Sequence, residues 1–266
     1  MFRDITIGQY YPAESKIHRL DPRVKLFGTM IYIVSLFIND NIIGFLIAAV
    51  FLGICIKLSK VPFGYIIKGL KAIVFLLLFS VVFTVFLTEG RVLVSFGIFK
   101  ITYEGLLLGA KIVVRLVLLI IGSSLMTLTT TPTDIADGLE KAFRPLEVMK
   151  IPVHDIAMMM SIAFRFIPIL TEETDKIMKA QMARGADFET GGLIQKARGM
   201  IPLIIPLIIS AVKRALDLAT AMEARCYQGG EGRTKMKPLI YKSRDYMTYM
   251  ILILYLILMI VVKNVM

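Results

Sequence analysis

The 266-residue chain has no tryptophan, two cysteines and two histidines. His18 and His154 are far apart in sequence, so no histidine-based metal site or nucleophile triad has its usual spacing. Both read as ordinary packed or interfacial side chains. Cys55 falls in an apolar run and Cys226 in a basic segment. They form no disulfide framework and fit a reducing cytosol. No glycine-rich phosphate loop of the Walker type occurs, so the chain does not hydrolyse ATP itself. The adjacent carboxylates Glu172 and Glu173 sit in a charged helical stretch and read as solvated. A non-catalytic chain without cofactor or metal is expected.

Anionic residues are also scarce: 20 Asp and Glu face 31 Lys and Arg, a net charge of +11. The cations are not interleaved with stacking aromatics, which argues against nucleic-acid binding. Cytoplasmic loops and anionic headgroups explain the excess better. The chain is 57% hydrophobic, and its apolar residues come in blocks. A bilayer core of about 30 Å takes roughly 20 apolar residues per helix, fewer where flanking Lys and Arg snorkel. The blocks are Val24 to Ile38, Ile42 to Leu58, Ala72 to Leu87, Leu106 to Leu128 and Met247 to Val262. The first follows a polar, charged segment ending in Asp21-Pro22-Arg23, unlike a signal peptide. The expected fold is therefore all-α: a polytopic helical membrane protein in the cell's cytoplasmic membrane, with about five transmembrane helices.

The cation bias sets the orientation. Arg3, Lys16, Arg19 and Arg23 precede the first block, and Lys57, Lys60, Lys68 and Lys71 fill the second loop. The turn Asn39-Asp40-Asn41 has no cation, and Thr88 to Gly105 balances Arg91 and Lys100 with Glu89 and Glu104. The N-terminus, the second loop and the region after the fourth block are thus expected in the cytosol. Three parts follow: transmembrane helices in 1–130, a membrane-associated and cytosolic region in 131–244, and a last transmembrane helix in 245–266.

The middle part holds 17 of the 31 cations between Thr129 and Arg244. Thr129-Thr130-Thr131-Pro132-Thr133-Asp134 predicts a helix start, with Thr133 or Asp134 as N-cap. Ile135, Leu139 and Phe143 repeat at i, i+4, i+8, and Pro145 and Ile151-Pro152 stop the pattern. Two longer elements share one plan, an apolar proline-bearing half followed by a charged half. The first runs from Val153 with Arg165 and Pro168 inside, then Glu172 to Arg184, with Glu172–Lys176 and Asp175–Lys179 as i,i+4 pairs. Gly185 is expected to end it in the left-handed conformation. Gly191-Gly192 breaks the chain. The second runs from Met200 to Val212 with Pro202 and Pro206, too short and broken to span alone, then Lys213 to Cys226, with Gly229-Gly230 beyond. If both apolar halves crossed, Lys176, Lys179, Arg184, Lys196 and Arg198 would all lie outside, against the cation bias.

Other cations suggest sites less sharply. Lys111 and Arg115 lie within the fourth block at i,i+4, and an intramembrane cation is a functional candidate. The plainer reading is that Lys111 snorkels while Arg115 caps carbonyls or meets a carboxylate. Arg165 reads as orienting a helix near the interface. The run Met158-Met159-Met160 suits an adaptable partner face but equally core or lipid packing.

The sharpest feature is a repeated tripeptide: Ala183-Arg184-Gly185 and Ala224-Arg225-Cys226, each closing a charged helix, with the arginines 41 positions apart. Ala197-Arg198-Gly199 matches without that context, so the tripeptide alone carries no weight. The small flanking residues would let a partner approach, leaving the guanidinium free to grip a carboxylate or carbonyls.

Together with Thr129-Thr130-Thr131-Pro132-Thr133-Asp134 and Arg165-Phe166-Ile167-Pro168, the paired motifs resemble the transmembrane T component of energy-coupling factor (ECF) transporters. The resemblance covers nearly the whole chain, from Asp21-Pro22-Arg23 to the last helix. It implies a prokaryotic importer of vitamins or metal ions. In it, long coupling helices of this chain bind two ABC-type ATPase subunits, and a separate small membrane subunit, the S component, captures the substrate. It further implies that Arg184 and Arg225 dock into grooves on the ATPases. The alternative is a self-contained, ion-coupled secondary transporter, which predicts inverted repeats and broken midplane helices. No convincing repeat is present, and intramembrane acidic residues are few.

Overall fold

The computed structural model describes residues 10–71, 73–96, 99–150, 152–186, 192–229 and 238–265. Nine helices are described: α1 Pro22–Ile38, α2 Ile42–Ser59, α3 Phe63–Lys71, α4 Val74–Leu87, α5 Tyr103–Thr129, α6 Pro132–Phe143, α7 Val153–Ala183, α8 Leu193–Ala224 and α9 Ser243–Val265. A two-stranded antiparallel hairpin, β1 Val92–Phe96 and β2 Phe99–Thr102, joins α4 to α5 where the sequence suggested only a loop. The architecture is all-α, and among the described residues five helices are long and apolar enough to cross a membrane. The chain forms two compact units, one from Gly8–Lys141 with Leu239–Met266 and one from Ala142–Pro238.

The five long apolar helices are not the five blocks first expected. Ile42–Ser59, Tyr103–Thr129 and Ser243–Val265 coincide with expected crossings, whereas the other two are Val153–Ala183 and Gly199–Ala224. α1 has 17 residues and α4 only 14. At 1.5 Å per residue these reach about 26 and 21 Å, short of a ~30 Å core without snorkelling flanks or local thinning.

The first unit is organised around α1. Pro22 occupies the first turn, where its missing N–H costs nothing, and the Asp21 carboxylate caps the helix by accepting from the Arg23 N–H at 3.0 Å. The Arg23 guanidinium returns to the same carboxylate at 2.8–2.9 Å and lies 3.7 Å over the Tyr241 ring. Asp245 accepts from the Asp21 N–H at 3.0 Å and from the Lys242 N–H at 2.8 Å, so one buried carboxylate ties the starts of α1 and α9 together. Further along, Ser35 and Tyr255 share a 2.8 Å hydrogen bond, and Asn39 donates to the Met259 carbonyl at 2.9 Å. The partners advance in step, so α1 and α9 run parallel.

Buried Tyr32, Leu36, Phe45, Leu52, Leu125 and Met259 form the adjoining core, with Phe51 and Tyr255 stacked at 4.3 Å. Gly122 of α5 lets the Tyr32 ring lie against the helix, since a Cβ there would come within 2.5 Å of it.

The far end of α5 returns to the start of α1. Lys25 donates to the Thr129 carbonyl at 2.8 Å and to the His18 carbonyl at 3.2 Å, and the Tyr11 N–H donates to the Leu128 carbonyl at 2.9 Å. The starts of α1 and α9 and the end of α5 therefore gather at one end of the bundle. Residues 130–242 leave and re-enter at that same end. Either both α7 and α8 cross a bilayer or neither does.

Arg115 takes the plainer of its two roles. Its Nε donates to the Leu36 carbonyl at 3.1 Å, near the C-terminus of α1, and its guanidinium pairs with Asp40. It sits beside Phe37 and Phe45. α6 starts two or three residues earlier than expected: Pro132 is the first helical residue, and the Thr131 hydroxyl, not Thr133 or Asp134, accepts from the Asp134 N–H at 3.2 Å.

Candidate functional site: two arginine-tipped helices

α7 and α8 form the body of the second unit. α7 is one 31-residue helix through Pro168, and α8 one 32-residue helix through Pro202 and Pro206. The prolines of α8 do not break it as expected, because a neighbour repairs part of the damage. Pro206 has no N–H, so the carbonyl four residues earlier loses its helical partner. That carbonyl belongs to Pro202 and accepts instead from the Gln181 side chain of α7 at 3.3 Å.

The two helices run antiparallel. Gln181 meets Pro202, Glu173 meets Ser210 and Arg214, and Ile162 and Phe166 share a seam with Leu218 and Met222. Glu173 is therefore not simply solvated. One of its oxygens accepts from the Ser210 hydroxyl and the other from Arg214 Nε and Nη2 at 3.1 and 2.9 Å. Glu172 stays exposed, and neither Glu172–Lys176 nor Asp175–Lys179 closes into an ion pair.

Both helices end in the same motif. After α7 the Arg184 N–H bonds the Gln181 carbonyl at 3.0 Å, the Gly185 N–H bonds Met182 at 3.0 Å and the Ala186 N–H bonds Gln181 at 3.0 Å. After α8 the Arg225 N–H bonds Met222 at 3.1 Å, the Cys226 N–H bonds Glu223 at 2.8 Å and the Tyr227 N–H bonds Met222 at 3.1 Å. Each is a Schellman turn, which needs a left-handed residue directly after the C-cap. Gly185 holds φ +90° and Cys226 φ +54°. The third residue of each tripeptide is thus set by backbone geometry, and small size alone is not the reason for it. Ala183 and Ala224 are the last helical residues, and Arg184 and Arg225 are the C-caps.

Ala183, Arg184, Gly185, Ala224, Arg225 and Cys226 are all exposed. Among the described residues neither arginine has a hydrogen bond or ion pair through its side chain. Each is a free cation at the negative end of a helix dipole, a favourable place for it. The fold does not bring the six residues together. In an antiparallel pair the C-termini point opposite ways. α8 continues 22 residues beyond Pro202, the level of Gln181, so the two tips stand roughly 35–40 Å apart along the helix axes. Gln181, Glu173 and Arg214, which set the register, carried no signal at the sequence level. Gly191, Gly230 and the side chain of Arg198 lie outside the described residues.

Residues 13–236 match the protein family described as cobalt transport protein, CbiQ. Proteins named energy-coupling factor transporter transmembrane protein EcfT are similar along nearly their whole length. That of Clostridium kluyveri is 53% identical over 248 residues, 92% of each chain. That of Ruminiclostridium cellulolyticum is 48% identical over 264 residues, 96% of this chain and 99% of its own. That of Bacillus subtilis is 46% identical over 246 residues, 92% of each chain. The chain belongs to the family of energy-coupling factor transporter transmembrane proteins. It is the family that the paired arginine motifs resemble, and its members are named as membrane components of a transporter.

Proposed function

We propose that this chain is the non-catalytic coupling subunit of an ATP-driven importer. It joins two ATPase subunits, one held by Arg184 and the other by Arg225, to a separate small membrane subunit that captures a vitamin or metal ion. The observation that carries this reading is the pair of matched tips: an exposed, unpaired arginine on a Schellman turn at each end of one antiparallel helix pair. A planar guanidinium standing clear of its own fold suits bidentate capture of a carboxylate or backbone carbonyls on a partner. Two such tips roughly 35–40 Å apart fit two separate protein partners better than one small ligand. A helix pair clamped by Glu173, Arg214 and Gln181 is stiff enough to carry a displacement from its ends.

On this reading both tips lie in the cytosol with the N-terminus, in the inner (cytoplasmic) membrane's cytosolic layer. The pair then runs along the bilayer surface, because an antiparallel pair crossing it would put Arg184 and Arg225 on opposite sides. The parallel start of α1 and α9 and the return of the chain to the cation-rich end of the bundle are compatible with this, because they require only that α7 and α8 both cross or both stay on one side.

The test is charge reversal in the assembled transporter. Arg184→Glu and Arg225→Glu should each weaken ATPase assembly or uncouple hydrolysis from uptake, while membrane insertion stays normal. A doubly reversed protein that assembles and transports like the parent would reduce both arginines to helix-end charges. Uptake by the chain without any ATPase, driven by an ion gradient, would instead favour a secondary transporter.

A further inference from the structure

A second feature lies in the other compact unit. A cavity of about 500 Å³ opens among α1, α2, α5 and α9, within the range of pockets that hold drug-sized ligands. Its walls are sorted by depth. Lys16, Arg19, Lys25 and Arg244 line one end, and Leu52, Leu125, Ile251 and Leu252 are among the apolar residues that line the rest. Among the described residues no carboxylate pairs with Lys16, Lys25 or Arg244; Arg19 alone has one, Glu14 at 2.9 Å. Lys25 is buried, and its two hydrogen bonds go to neutral carbonyls; the Asp134 and Asp21 carboxylates act on its charge only through space.

One wall carries an unmet polar group. Tyr32 is 3% exposed, and its hydroxyl has no hydrogen-bond partner. A buried hydroxyl left unpaired is costly and calls for an explanation. Lys25, Gly28, Thr29 and Tyr32 all line the cavity and fall on one stripe of α1. From Lys25 to Tyr32 the stripe covers about 10 Å of helix axis. That depth runs from a headgroup layer of roughly 5–7 Å into the hydrocarbon. The cationic end is the end where α1 and α9 start and α5 finishes, the end that the cation bias assigns to the cytosol.

We propose that this cavity holds one anionic phospholipid of the cytosolic leaflet. Its phosphate lies among Lys16, Lys25 and Arg244, its glycerol ester region is within reach of the Tyr32 hydroxyl, and an acyl chain lies along α2, α5 and α9. The charge complementarity selects an anionic headgroup over a zwitterionic one, and the apolar depth selects a lipid over a small anion. The site is independent of how the arginine tips behave, and its test involves no ATPase.

The experiment is native mass spectrometry of the delipidated full-length chain titrated with dioleoyl phosphatidylglycerol, dioleoyl phosphatidylcholine and inorganic phosphate in turn. Retention of a single phosphatidylglycerol at concentrations where phosphatidylcholine does not bind is expected. Lys16→Gln and Arg244→Gln, both at exposed positions, should each weaken it about fivefold at unchanged melting temperature, as expected for one cation near a phosphate surface. Thr29→Phe, which puts a ring into the cavity between Lys25 and Tyr32 and spares every cation, should weaken it at least as strongly. Equal binding of the two lipids, displacement of phosphatidylglycerol by equimolar phosphate, or an undiminished site in Thr29→Phe would each overturn the assignment.

Discussion

Cys226 occupies a backbone position that glycine would fill without strain. A left-handed residue with a Cβ costs about 1–2 kcal/mol, and the matching position of the other tip is Gly185. Cys226→Gly should therefore stabilise the end of α8 by about 1 kcal/mol and leave ATPase binding intact, whereas Cys226→Val should fray the helix end. Thermal melting of the purified protein, with ATPase copurification alongside, checks both. His18 offers a second test. Its Nε2 lies 3.0 Å from the Tyr11 carbonyl and so donates, which leaves Nδ1 to accept from the Ser15 hydroxyl at 2.6 Å in the neutral ring. Burial pulls its pKa below the ordinary value near 6.5, helped by nearby Lys25 and opposed by the Tyr11 carbonyl. The folded ring thus resists a proton that the unfolded chain accepts, so stability falls as pH drops through about 6.5. The melting temperature should decline between pH 7.5 and 5.5, and His18→Gln should flatten that slope. Asp21 works in a separate, more acidic window. Burial alone would raise its pKa, but the hydrogen bonds and charge of Arg23 outweigh that and hold it below the usual carboxylate value. Its contribution is present above the unfolded pKa and is lost progressively as pH falls from there through that of the folded state.

At the scale of the element, the α7–α8 pair depends on contacts between residues far apart in the chain. Glu173 and Arg214 form the main polar clamp, partly exposed at 22% and 39%. A double-mutant cycle with Glu173→Gln and Arg214→Met, read by thermal melting, should return a coupling of about 0.5–1 kcal/mol. A coupling of zero would mean that apolar packing alone sets the register. This clamp also shows where sequence reasoning stopped. The ends of α1, α2 and α6 were legible within two or three residues, because Asp21-Pro22, Asn39-Asp40-Asn41 and Thr131-Pro132 act locally. Gly185 was legible as a left-handed terminus for the same reason. The continuity of α8 was not, because the rule that proline breaks a helix takes no account of Gln181 reaching in from another helix. Glu173 looked solvated because nothing near it in sequence reveals Ser210 or Arg214. The two tripeptides were legible as helix ends, but their placement at opposite ends of one pair follows only from the antiparallel register.

For the whole molecule, the parallel start of α1 and α9 reduces the topology to two alternatives: α7 and α8 both cross the bilayer or both stay on one side. Both are long and apolar enough to cross, so length does not decide between them. On the proposed reading the arginines do, because a crossing pair would carry Arg184 to the outer face and leave Arg225 in the cytosol. The most direct measurement is a double crosslink in the assembled transporter. In a Cys55→Ala background, Ala183→Cys and the native Cys226 are treated together with a short thiol-reactive crosslinker. The account predicts a product in which one chain is joined to two ATPase subunits at once, one at each tip. Crosslinking at Cys226 alone, with the cysteine at position 183 labelled only from outside the cell, would contradict it.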